Sequence, residues 1–148
     1  MLRVGTVGTS SIMRTIQEAI RLTDGMECRV VYSRTEEQGR AFAAEMGVPE
    51  HCTDYAAMLE RSDLDLIDIA SPNRFHAEQA LAALEHGKHV IVEKPAAVTR
   101  GDVQRLIDAA RANGVYFFEA ITTLFMPQYE ACRLLLPRLT HAADSVVP

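Results

Sequence analysis

The chain has no tryptophan, only three cysteines and 6% aromatic residues. The cysteines, Cys28, Cys52 and Cys132, are odd in number and show no C-x-x-C spacing. A disulfide framework or a zinc site is therefore not expected, and all three read as reduced, buried thiols. No metal site is expected at the histidines either, since His51, His86, His89 and His141 show no ligand spacing and read as surface or packing residues. Long apolar runs are also missing, and none approaches the roughly 18 residues of a membrane span. The opening Met-Leu-Arg-Val-Gly-Thr-Val-Gly is too quickly interrupted by glycine for a signal peptide, so a cytoplasmic protein is expected. There is no cluster of Lys and Arg, and the net charge is −5. This argues mildly against nucleic acid, which is not an expected partner, because phosphate binding depends on clustered cations.

What is present is the composition of an ordinary globular domain, with 48% apolar and 24% charged residues in 148. Leu2 to Val7 is a short apolar run, and Ile12, Ile16, Ala19 and Ile20 then fall at helical spacing until Asp24-Gly25. The alternation repeats. Cys28 to Tyr32 predicts a strand, Glu36 to Met46 a helix closed by Gly47, and the region around Cys52 a brief extended piece. A short helix from Tyr55 to Glu60, a strand from Leu64 to Ala70 and a helix from Phe75 to His86 follow, the strand ending at Ser71-Pro72-Asn73. His89 to Val92 predicts a strand. Thr99, with Asp102 three residues on, predicts the cap of a helix running to Asn113, before a last strand from Val115 to Phe118. The stripe of Leu81, Leu84, Leu106, Ile107 and Ala110 reads as helix packing. Five or six strands separated by helices require right-handed crossovers, so the expected fold class is α/β, a doubly wound parallel sheet of the Rossmann type.

In that fold a ligand lies at the carboxyl ends of the strands, with a phosphate on the first strand-to-helix turn. Here the turn is Gly8-Thr9-Ser10-Ser11-Ile12-Met13. It keeps only the first glycine of G-x-G-x-x-G, with Ser10 and Met13 at the other two places. By itself it reads equally as a plain turn between strand and helix. The second strand ends in Ser33-Arg34, where an NAD-preferring site usually carries an acidic residue for the ribose. A guanidinium there matches a 2′-phosphate instead, with Ser33 adding a hydroxyl, so NADP is favoured, NAD is the alternative, and a solvated surface charge is the third reading of Arg34.

The stretch Gly87-Lys88-His89-Val90-Ile91-Val92-Glu93-Lys94-Pro95 is the most specific motif. With Tyr32-Ser33-Arg34, Ser71-Pro72-Asn73 followed by His76, and Glu119-Ala120 before Phe125 and Pro127, it resembles the Gfo/Idh/MocA oxidoreductases over about Leu2 to Leu139. The resemblance implies that Lys94 is the catalytic residue, orienting substrate and cofactor and assisting proton transfer. It further implies that Ala70, Ser71, Pro72, Asn73 and His76 line the nicotinamide-ribose side, with Glu93 beside Lys94 and Glu119 approaching from the last strand. For His76 the competing reading is a histidine satisfied by local backbone. A cis Lys94-Pro95 bond is compatible with the motif.

The implied activity is hydride transfer between a nicotinamide and a sugar, inositol or related polyol. Two alternatives stand beside it: a non-catalytic dinucleotide-binding or regulatory module, and a chemistry in which tightly held NAD serves glycoside cleavage or sugar–sugar oxidoreduction. Residues 1–126 are expected to form the nucleotide domain, and 127–148 a linker helix and tail. The family's substrate domain is expected to be absent, since Thr140 to Pro148 does not resemble the strand that should come next. Negligible turnover alone and self-association into a homo-oligomer are the corresponding expectations.

Overall fold

The computed structural model describes residues 1–143, with side chains to residue 135. Six strands are present: β1 Leu2–Val7, β2 Met26–Tyr32, β3 Glu50–Cys52, β4 Leu66–Ile69, β5 His89–Glu93 and β6 Phe117–Ala120. Between and after them lie α1 Ser11–Leu22, α2 Glu36–Met46, α3 Tyr55–Leu59, α4 His76–Glu85, α5 Arg100–Asn113 and α6 Pro127–Ala143. The sheet order is β3-β2-β1-β4-β5-β6 and every pairing is parallel. The order reverses between β1 and β4. The crevice of a doubly wound sheet opens at that switch point.

Local chemistry accounts for the element ends. Ser10, Thr35, Asp54 and Thr99 cap α1, α2, α3 and α5 by accepting backbone N–H groups of the first turns. Gly47 ends α2 at φ 70°, the left-handed angle that a glycine reaches without a Cβ clash. The last strand starts two residues later than the apolar pattern predicts. Val115 N–H closes the end of α5 on Ala110 and Tyr116 N–H donates to His89 Nδ1, so ladder pairing begins only at Phe117 opposite Val90. Likewise α4 is preceded by a 3-10 turn at Asn73–Phe75, because Phe75 N–H bonds the Pro72 carbonyl at 2.9 Å.

The two sheet faces are buried differently. On one, Val7, Ile67, Ile69, Val90 and Val92 pack beneath Met58, Leu59, Leu84 and Leu106 from α3, α4 and α5. On the other, α1 and α2 bring Met13, Ile20, Phe42 and Ala43 onto Val4, Val31 and Leu66. Each large apolar side chain so buried contributes roughly 1.5–3 kcal/mol. Of the expected helix stripe, Leu84, Leu106 and Ala110 lie in this core and Leu81 packs against it, while Ile107 is half-buried outside it.

The expectation for the cysteines needs correction. Cys28 and Cys52 are free and half-buried, while Cys132 is exposed, as is every side chain of α6 described up to residue 135. Among the described residues no helix is long and apolar enough to cross a membrane. The side chain of His141 and residues 144–148 of the tail lie outside the described residues.

Candidate functional site

A cleft of about 570 Å³ opens at the carboxyl ends of β1, β2, β4 and β5. Its floor is the turn after β1. Gly8 sits at φ 114°, and a Cβ there would stand 2.8 Å from the carbonyl oxygen of Ala70. Gly8 N–H is held by Tyr32 O and Ala70 N–H by Val7 O, which laces three strand ends together below the cleft. Ser10 is used as the cap of α1, its Oγ accepting Met13 N–H at 3.4 Å. The Ser11 and Ile12 amides donate to no protein acceptor among the described residues, leaving the helix N-terminus open to an anion. Met13 fills the space between α1 and the sheet, fully buried against Val31, Phe42 and Ala70. The two departures from the glycine pattern thus act as a cap and a packing residue, and the free amides survive both.

At the β2 end, Ser33 is buried and Arg34 exposed on the cleft wall. Arg34 makes no ion pair among the described residues, unlike Arg40, which engages Glu36 at 3.0 Å. The Glu36 carboxyl is held below its ordinary range, first by His51 and then by Arg40. Thr35 caps α2 directly after Arg34, so a free guanidinium stands beside a positive helix end. An adjoining cavity of about 320 Å³ continues between Tyr32, Arg34, Tyr55 and Phe75.

At the β4 and β5 ends, Ser71, Pro72 and Asn73 face Glu93 and Lys94 across the cleft. Ser71 Oγ donates to Gln79 Oε1 at 2.6 Å. His76 is 1% exposed, its Nδ1 2.8 Å from Pro95 O and its Nε2 2.7 Å from Ser71 O. Lys94 is exposed and without an ion pair among the described residues, and its peptide bond to Pro95 is cis. The burial that would desolvate the ammonium is therefore not supplied by these residues. On the sheet face shared with Glu93 lies Asp68, 6% exposed, whose Oδ1 finds no hydrogen-bond partner. Burial, with the charge of Glu93 adding, pushes its carboxyl up to about 7.

Of the residues singled out from sequence, Gly8, Thr9, Ser10, Ile12, Ser33, Arg34, Ala70, Ser71, Pro72, Asn73, His76, Glu93 and Lys94 all border this cleft. Ser11 and Glu119 do not. Ser11 is exposed outside the lining, and Glu119 Oε1 is occupied by Ala96 N–H at 2.9 Å. The cleft also includes Gln38, Phe75 and Gln79, which sequence reading passed over. Helical spacing would have found two of them: Gln38 lies three residues beyond the cap Thr35, and Gln79 three beyond His76.

The sequence profile of the Gfo/Idh/MocA oxidoreductase family, an NAD-binding Rossmann fold, matches residues 2–121. The chain belongs to this family. Family relatives include the NADP(+) scyllo-inositol 2-dehydrogenase of Bacillus subtilis, 34% identical over 94% of this chain and 42% of its own length. The NADP(+) D-xylose 1-dehydrogenase 2 of Haloferax volcanii is 31% identical over 96% of this chain and 44% of its own. Among solved structures, a 3-ketoreductase from Actinomadura kijaniata in complex with NADP and TDP-benzene superposes with a TM-score of 0.86 at 31% identity, covering 93% of this chain and 42% of that one. The chain spans about two fifths of the length of these relatives.

Proposed function

We propose that this chain binds NADP in the cleft and carries the nucleotide-binding half of an oxidoreductase acting on a sugar, inositol or related polyol. The observation that carries the reading is the pair of free cations at the two ends of one cleft, Arg34 and Lys94, with the open amides of α1 between them. The residues fit the cofactor: Gly8 lets the first turn pass close against the Ala70 backbone at the floor of the cleft, and Arg34 offers its donor fork to a 2′-phosphate. The names of both sequence relatives include NADP(+), and the reductase structure holds NADP.

In this reading the amides of Ser11 and Ile12 hold the pyrophosphate. Ser33 and Arg34 hold the 2′-phosphate, and Ala70 to Asn73 flank the nicotinamide ribose. A bound nicotinamide supplies or accepts the hydride. Lys94 orients both cofactor and substrate, donates a hydrogen bond to the reacting oxygen of the substrate and can pass it a proton. Because Lys94 is exposed, no described wall keeps water from this end of the cleft. Turnover by this chain alone is therefore negligible, since positioning is worth roughly 7–11 kcal/mol of a barrier. The exposed aromatic side chains of Tyr116, Phe118 and Phe125 favour self-association, which light scattering would reveal.

The test is a parallel titration with NADPH and NADH, following nicotinamide fluorescence, on the chain and on Arg34→Ala. NADPH should bind more tightly, and the variant should lose roughly 10–100-fold for NADPH with little change for NADH. Equal affinities would remove the NADP preference. Binding of neither would overturn the reading, and rapid NADP-dependent oxidation of a polyol by this chain would overturn the claim of negligible turnover.

A further inference from the structure

The two loops that border the far end of the cleft share one buried side chain. His76 opens α4, is 1% exposed, and reaches the carbonyl oxygens of both Ser71 and Pro95. A carbonyl only accepts, so a ring N–H is the donor in either contact, and each ring nitrogen faces one carbonyl oxygen. With both nitrogens engaged by protein, none is left for a ligand.

We infer that His76 is a positioning residue for Lys94, setting the Lys94-Pro95 turn against the Ser71 loop while binding no cofactor itself. The inference rests on the role given to Lys94 above. Pro95 has no N–H, so its carbonyl is the sole backbone group by which that residue can be hydrogen-bonded, and His76 holds it at 2.8 Å. The next residue, Ala96, is 3% exposed and its N–H is taken by Glu119 Oε1 at 2.9 Å. The turn is thus gripped on its carbonyl side from α4 and on its amide side from β6. The opposite loop is gripped twice by one helix face, since Gln79, three residues after His76, accepts from Ser71 Oγ. The first turn of α4 therefore sets the distance between the Ser71 loop and the turn carrying Lys94. Both His76 and Glu119, read from sequence as cofactor contacts, act on the turn in this account.

The experiment uses His76→Ala in the full chain, alone and combined with Lys94→Ala. Affinities are measured for NADPH and for adenosine 2′,5′-bisphosphate, which has no nicotinamide. A brace acting through Lys94 should weaken NADPH by about tenfold, leave the bisphosphate within about twofold, and add nothing once Lys94 is already alanine. Amide exchange at Ala96 should quicken in His76→Ala, and Glu119→Gln, which keeps an acceptor, should retain the parent rate where Glu119→Ala does not. Unchanged NADPH affinity, additive losses in the double variant, or equal loss of both ligands would overturn the inference. Should the unaltered chain bind neither ligand, the functional reading fails by itself. The brace is then judged by exchange at Ala96: faster in His76→Ala supports it, and unchanged overturns it.

Discussion

Gly8 and Ala70 approach so closely at the head of β1 and β4 that a Cβ on Gly8 would stand 2.8 Å from the Ala70 carbonyl oxygen. That contact cannot relax by moving a flexible side chain, because the obstructing atom is backbone, and φ at Gly8 is 114°. Gly8→Ala is expected to lose about 1–3 kcal/mol of stability and most dinucleotide affinity together. Urea unfolding and an NADPH titration check this, and retention of both would contradict the close approach.

The Asp68 carboxyl makes stability fall as pH rises. In the unfolded chain it loses its proton near 3.8, whereas burial and the charge of Glu93 keep it protonated in the fold to about 7. Between those values the folded chain holds a proton that the unfolded chain has released, so the native state loses ground across this window and carries the full penalty above it. The penalty is on the order of 2–4 kcal/mol. Asp68→Asn should flatten this part of the profile, with its gain relative to the parent larger at pH 8 than at pH 4 in urea unfolding. Parallel profiles would show that Asp68 is not the group responsible.

Asp65 acts in the opposite sense. Its two oxygens take Arg3 N–H and Nε at 2.9 Å and Nη2 at 2.6 Å, and these bonds hold its carboxyl well below the ordinary range. This contribution is present above the unfolded value near 3.8 and is lost as pH falls through the lower folded one. Asp65→Asn should lower the thermal midpoint by roughly 2–4 °C at pH 7, with the difference closing in strong acid. A difference that persists undiminished in acid would contradict the assignment.

The two lysines of the Gly87 to Pro95 motif should separate cleanly. Lys88 is 8% exposed and its Nζ donates to Arg61 O at 2.5 Å and Leu64 O at 3.0 Å, pinning the start of β5 to the loop before β4. Lys88→Met should cost about 2–3 kcal/mol of stability and leave NADPH affinity near that of the parent. Lys94→Ala should do the reverse. Calorimetric midpoints and titrations on both variants decide it.

Much of the site was legible in the sequence because its residues sit at strand ends, where an apolar run breaks into Gly8, Ser33-Arg34, Ser71-Pro72 and Glu93-Lys94. A break of that kind is visible along the chain. The contributions of Gln38, Phe75 and Gln79 were less visible, since a polar or aromatic residue on a helix reads as surface or core until a neighbouring element shows which way it faces. The burial of the cysteines was misjudged for the same reason, as exposure at Cys132 depends on what covers α6.

By itself the sequence determined the alternation of five or six strands with helices, the cap at Thr99, and the family to which the chain belongs. These are local or motif properties, written within a few residues of one another. Only the tertiary structure decided that His76 faces two carbonyls, that Glu119 serves Ala96 rather than the cleft, and that Asp68 is buried without a partner for Oδ1. Each of these joins residues from different strands and helices, and a hydrogen bond or a desolvated charge is set by which elements the parallel sheet brings side by side.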